Sequence, residues 1–226
     1  MNQAKSNITS SDNQQMNFKS MRSPIEHYAE ANLPTEYGMF RVVVFRDTET
    51  NDEHLAIIAG EIKEAEDLLV RVHSECFTGE VLHSLKCDCR EQLLHALKAI
   101  SEKGTGMVIY LRQEGRGIGL GNKIKAYALQ EAGHDTVDAN RLLGFADDLR
   151  SYDAAKYILD YFDIHSISML TNNPDKIESL EALGVIINKR LPIYCEPNAH
   201  SINYFKTKKI RMGHLFDESF LKVPTK

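Results

Sequence analysis

The chain has 226 residues, 42% hydrophobic and 26% charged, with a formal net charge of −5. This is the composition of a globular protein with room for one large domain or two small ones. A net negative chain offers no global attraction for nucleic acid or an anionic membrane, no apolar run approaches the roughly 20 residues needed to span a bilayer, and no basic-then-apolar leader is visible, so a soluble, cytoplasmic protein without nucleic-acid or membrane partners is expected.

Eleven of the first twenty residues are Asn, Gln or Ser. Such a segment cannot bury enough surface to offset its ordering entropy, so residues 1–24 are expected to form a disordered polar tail. The folded part is expected over 25–216, followed by a flexible C-terminus at 217–226. Met39–Arg46, Leu55–Ala59 and Leu68–Val72 are short β-rich runs bounded by polar residues. Glu91–Lys103 carries Leu93, Leu94, Leu97 and Ile100 at helical spacing, with Gly104 as a stop. Met107–Leu111 reads as a buried strand, Ile118–Ala132 as a helix ended by Gly133, and Ala154–Phe162 as another helix. Ile167–Leu170 is a strand, and Asn173-Pro174 opens a helix through Leu183 with a cap and a proline at its first position. Val185–Asn188 is a last short strand. Early strands followed by β-α alternation predict a single mixed α/β domain with a β-rich N-terminal part.

Three of the four cysteines fall in one stretch, RVHSECFTGEVLHSLKCDCREQ, at Cys76, Cys87 and Cys89. Four cysteines in a chain this long, three of them clustered, do not make a disulfide framework. A Cys-x-Cys pair can converge on one ion from a tight turn, each sulfur about 2.3 Å from it. A closed structural zinc takes four protein ligands, whereas a catalytic zinc takes three and keeps a position for water. Three clustered thiols therefore point to a catalytic zinc. Two rivals stay open: a structural zinc completed by His73, His83 or Cys195, and three buried free thiols packed as small hydrophobes. Lys86, Asp88 and Arg90 surround the pair with charge and weigh against the second. His73-Ser74-Glu75 matches the H-x-E of zinc nucleobase deaminases, but the P-C-x-x-C that should follow is absent.

Residues 112–125 read RQEGRGIGLGNKIK, with glycine at 115, 117, 119 and 121. The spacing fails both the dinucleotide fingerprint and the P-loop. What remains is a flexible backbone beside Arg112, Arg116, Lys123 and Lys125, between a strand and a helix. Backbone N–H groups at a helix start and guanidinium forks suit phosphate oxygens; the alternative is an ordinary strand–helix loop with a solvated basic face. Thr171, Asn172, Asn173 and Lys176 stand where a strand ends and a helix begins, a usual ligand position in open α/β sheets.

Taken together, RVHSEC (71–76), KCDC (86–89), RQEGRGIGL (112–120), NKIKAYALQ (122–130), GFADDLR (144–150), LTNNPDK (170–176) and MGHL (212–215) resemble the GTP cyclohydrolase II family. The resemblance implies hydrolysis of GTP to a diaminopyrimidine carrying a phosphoribosylamino group, with release of formate and diphosphate, as the first step of riboflavin biosynthesis. It implies one zinc on Cys76, Cys87 and Cys89, magnesium with the substrate triphosphate, and a homodimer. It places GTP contacts on Arg71, Val72, His73, Ser74, Glu75, Gln92, Glu114, Gly115, Arg116, Thr136, Thr171 and Lys176. It makes Tyr127 a participant in ring opening, Asp148 a proton acceptor and Arg150 a nucleophile at phosphorus. The last role conflicts with chemistry, because a guanidinium does not deprotonate at accessible pH; Arg150 is expected instead to hold phosphoryl charge beside Asp148. A relative that opens the ring but keeps the formyl group, and a non-catalytic nucleotide-binding regulator with structural zinc, are the other readings.

Three positions depart from the family pattern. Arg90 stands where glycine is usual, and a positive φ there would strain it by about 1 kcal/mol or more. Gly121 replaces a larger residue, and Asp153-Ala154-Ala155 replaces a more glycine-rich stretch.

Overall fold

The computed structural model describes residues 24–133, 136–146 and 148–195, with 198, 201, 202, 205, 207, 209, 210 and 213–215. The expected tails at 1–24, apart from Pro24, and at 217–226 lie outside the described residues. Among the described residues no helix is long and apolar enough to cross a membrane.

One seven-stranded sheet organises the chain, in the order β1-β2-β3-β5-β4-β6-β7. β1 (Ile25–Thr35), β2 (Gly38–Asp47), β3 (Glu53–Ala59) and β5 (Gly106–Leu111) pair antiparallel. β4 (Leu68–Ser74) runs parallel to β5 on one side and to β6 (Ile167–Leu170) on the other. β7 (Ile187–Leu191) continues the parallel half. The expected mixed α/β architecture with its β-rich beginning is what forms. β4 is buried at every residue except Ser74, as a strand with neighbours on both edges and helices on both faces requires.

The helices divide between the two faces. α2 (Cys89–Lys103) lays Leu93, Ala96, Leu97 and Ile100 against Phe40, Leu69, Val108 and Leu170. Gly104 closes it in the left-handed conformation, φ 74°, donating to the carbonyls of Ile100 and Ser101. On the opposite face, α5 (Asp153–Tyr161) and α6 (Pro174–Ala182) bring Ala155, Ile158, Leu159 and Leu180 onto Val70, Val72, Ile109 and Met169. Asn173 caps α6 through its side chain, which accepts from the Asp175 amide at 3.1 Å. Between β5 and α5 come a 3-10 turn (Glu114–Gly117), α3 (Gly119–Glu131) and α4 (Thr136–Leu142).

Several elements differ from the expectation. β1 forms although the sequence shows no strand pattern there, because ten of its eleven residues are exposed and no face carries an apolar period. Its register comes from the hairpin with β2, where the Thr35 hydroxyl donates to the Gly38 carbonyl at 2.9 Å. α1 (Phe77–Glu80) is a single turn inside the cysteine stretch. The last strand, Ile187–Leu191, starts two residues and ends three residues later than expected. The strain anticipated at Arg90 does not arise: Arg90 is the second residue of α2 and is absent from the positive-φ positions. Gly121 faces open space, and Ala154 and Ala155 pack their methyls into the core.

Ile109 is fully buried at the centre of the sheet. Ile109→Ala should lower stability by about 2–5 kcal/mol, read as a lower urea midpoint with an unchanged slope.

Candidate functional site

The connection from β4 through α2 goes to β5 on one side, and that from β6 through α6 goes to β7 on the other. The carboxyl ends of β4 and β6 therefore flank a topological switch point, where open α/β sheets leave a crevice. Arg71, His73 and Ser74 line this cleft from β4, and Cys89 and Gln92 from α2. Thr171, Asn172, Asn173 and Lys176 close it from the β6–α6 junction, with Arg116 and Arg150 above. His214 also lines it, brought back by the Leu215 amide, which donates to the Asn172 carbonyl at 3.0 Å.

The three thiols adjoin the cleft through Cys89, which lines it. Cys76 follows β4, Cys87 sits in the loop between α1 and α2, and Cys89 opens α2. Their sulfurs lie within 4.8 Å of one another. Neither His83 nor Cys195 joins the metal-ligand cluster found among the described residues; Cys195 is buried in the core beside Ile193 and Phe205. Gly79 makes the convergence possible by having no side chain. A Cβ there would lie 2.9 Å from the Cys87 sulfur and 3.2 Å from that of Cys76.

Thiols this close compete for protons. Hydrogen bonds from Cys87 and Cys89 hold Cys76 far below the usual thiol range. Cys87 is pushed up to about 11, chiefly by Cys76, and Cys89 is raised well above the usual thiol range by both neighbours. Three thiolates can coexist only around a cation, so the donor set fits a thiophilic divalent ion. Lys123 supports the ionised form, its ammonium 3.1 Å from the Cys76 sulfur and 2.7 Å from Glu114. Burial opposes that charge, but Cys76 and Glu114 outweigh it and raise the lysine above its ordinary range.

The rest of the cleft is cationic in a chain of negative net charge. Arg71, 5% exposed, donates to the Leu170 carbonyl at 3.0 Å and to Gln92 at 2.6 Å. Lys176, 4% exposed, donates to the Val72 carbonyl at 2.8 Å. Burial pulls the Lys176 ammonium well below the usual lysine range, and Arg71 and Arg150 push the same way. Burial favours the protonated form of Asp148, but bonds from Arg150 outweigh it and hold the carboxyl below its usual range. The guanidinium of Arg150 grips both oxygens of Asp148, with Nε at 2.9 and 3.0 Å. Gly115 and Arg116 both take left-handed conformations, and the Arg116 carbonyl accepts from the Leu149 amide at 3.1 Å, tying the glycine-rich loop to the Asp148–Arg150 segment.

The remaining expected residues fall at different distances from the cleft. The carboxylate of Glu114 is committed to the fold: it accepts from the amides of Phe77 at 2.6 Å and Gly115 at 2.9 Å besides Lys123. Glu75 pairs with Arg112 at 2.9 Å, and burial raises its carboxyl above the usual range. Tyr127 lies beside the thiols, beneath the Lys86 ammonium at 4.8 Å, with its hydroxyl pushed up by burial. Thr136 begins α4, and its side chain lies outside the described residues. Sequence reading missed Gly79 and the Lys123 contact to sulfur, because neither spacing nor composition marks residues that meet only through the fold.

The profile of a family described as GTP cyclohydrolase II matches residues 26–192. A GTP cyclohydrolase-2 from Picrophilus torridus is 50% identical over 192 residues, covering 85% of this chain and 100% of its own. One from Actinobacillus succinogenes is 46% identical over 204 residues, covering 88% of this chain and 94% of its own. A riboflavin biosynthesis protein RibBA from Endomicrobium trichonymphae is 50% identical over 191 residues; the match takes in 84% of this chain but only 47% of that longer protein.

Because Cys87 and Cys89 must each lose a proton to bind metal, apparent cobalt affinity should rise with pH between about 6 and 8, followed by thiolate-to-metal absorption. Gly79→Ala should weaken that affinity about 10–100-fold, by pushing a methyl into the space between the sulfurs.

Proposed function

Because this chain belongs to the GTP cyclohydrolase II family, we propose that it hydrolyses GTP to formate, diphosphate and 2,5-diamino-6-(5-phosphoribosylamino)pyrimidin-4(3H)-one, the first committed step toward riboflavin. One observation carries the reading onto this chain: the cationic cleft runs directly into the thiol triad, meeting it at Cys89. A nucleotide lying along the cleft has its phosphates among guanidinium and ammonium groups while its base reaches the metal end.

Cys76, Cys87 and Cys89 would hold one zinc ion, which when bound supplies Lewis acidity and a water nucleophile near neutral pH. The chain's own groups do the rest. Arg71, Arg116 and Lys176 bind the triphosphate with magnesium, and the triphosphate's negative charge offsets the burial that disfavours the Lys176 ammonium. Gln92 holds Arg71 in place. The backbone and side chains from Val72 to Glu75, with Gly115, Thr136 and Thr171, complete the substrate contacts. Glu114 serves the site through Lys123 and the start of α1 rather than by reaching the cleft. Tyr127, protonated through burial, is a proton donor for ring opening. Asp148 accepts a proton during diphosphate release, and Arg150, fixed on Asp148, balances phosphoryl charge. The catalytic domain is taken as 25–216, and the enzyme as a cytoplasmic homodimer.

The purified protein should contain about one zinc per chain and release both formate and diphosphate from GTP with Mg²⁺. Diphosphate without formate would indicate a ring-opening variant, and binding without turnover a regulator. Cys87→Ser should abolish formate release. If Arg150 acts by charge, Arg150→Ala should cost about 10²–10³ in turnover and Arg150→Lys distinctly less; a phosphate found covalently on Arg150 refutes that role.

A further inference from the structure

Glu80, the last residue of α1, has no part in the scheme above, yet it faces a deeply buried polar side chain of the cleft, His73. Its side chain is 10% exposed, and one oxygen receives His73 Nε2 at 2.7 Å. The other receives the Tyr110 hydroxyl at 2.6 Å. His73 and Tyr110 are register partners on β4 and β5, and their rings stack with centroids 5.6 Å apart at 21°. Burial pushes the Tyr110 hydroxyl up, so it remains a donor. Both carboxylate oxygens thus face donors, and the imidazole proton is drawn to Nε2.

The consequence lies at the other ring nitrogen. His73 is 2% exposed and lines the cleft, but its Nδ1 is buried with no hydrogen-bond partner among the described residues. An unpaired polar atom at that depth is costly for a fold to keep. The charged side chains that line the cleft, Arg71, Arg116, Arg150 and Lys176, are donors that cannot accept. They suit phosphate oxygens, so an acceptor for the N–H and O–H groups of a nucleotide must come from an uncharged lining group, and the bare imidazole nitrogen of His73 is one that the fold leaves unpaired.

We propose that Glu80, with Tyr110, is a positioning residue that fixes His73 as the Nε2–H tautomer, so that the bare Nδ1 accepts a hydrogen bond from an N–H or O–H of the bound nucleotide's base or sugar. The proposal rests on the reading of the cleft as a GTP site. The competing role for Glu80 is a staple that pins the thiol-bearing loop to β4.

The test uses the zinc-loaded full chain with ¹⁵N-labelled histidine, read by long-range ¹H–¹⁵N correlation. His73 should show a protonated Nε2 and a bare Nδ1, and a non-hydrolysable GTP analogue should shift Nδ1 toward a hydrogen-bonded value. Analogues without the 2-amino or the 2′-hydroxyl group locate the donor: the one that leaves Nδ1 unmoved lacks it. Glu80→Gln, which can donate to Nε2, should disturb the tautomer and raise KM for GTP roughly tenfold with zinc content kept, and Glu80→Asp should restore much of both. A proton on Nδ1 in the unaltered protein, no response of Nδ1 to nucleotide, or zinc loss in Glu80→Gln overturns the proposal. Failure of the unaltered protein to release formate would sink the proposed reaction alone, because tautomer and ligand response are read without turnover.

Discussion

β4 is enclosed on both edges by β5 and β6 and on both faces by helices. A strand so placed cannot shift by one residue without driving its apolar set into the wrong layer. Its alternation sends Leu69, Arg71 and His73 toward the α2 face and Val70 and Val72 toward the α5 face. At its end the chain meets the crevice between oppositely directed connections. The first thiol, the buried arginine and the buried histidine are thereby set in one short run, and the later loops assemble around them.

The electrostatics follow from that burial. Cations taken out of water are unfavourable unless paired or held by hydrogen bonds. Among the described residues Arg71 and Lys176 are held by the Leu170 and Val72 carbonyls and by Gln92, and Lys176 is depressed by its burial, with Arg71 and Arg150 adding to it. Arg150 is tightly paired with Asp148. The cleft therefore stores an unmet demand for negative charge, while the triad beside it stores the opposite demand. The two demands meet at Cys89, which lines the cleft, and Lys123 supports the thiolate of Cys76 from α3.

The departures from the family pattern show how local rules and context divide. Arg90 looked strained only on the supposition of a left-handed backbone, and a helical position removes it. The left-handed non-glycine residue in the glycine-rich turn is instead Arg116, with Gly115 before it and Gly117 after it packed against the Leu149 carbonyl. That turn aims a guanidinium into the cleft, a use of strained backbone where binding groups must converge.

The amino-acid sequence alone determined the mixed α/β class, most helices and strands, the three-thiol donor set and the basic loop, because each depends on residue type and short-range period. The family motifs supplied the expected site residues. Tertiary structure alone decided that β1 is a strand, since an exposed edge has no apolar period to read. It decided that Gly79 clears room for the sulfurs, that Glu114 pairs with Lys123, and that Glu80 and Tyr110 face His73. These contacts join residues from separate elements, and only the sheet order brings those elements together.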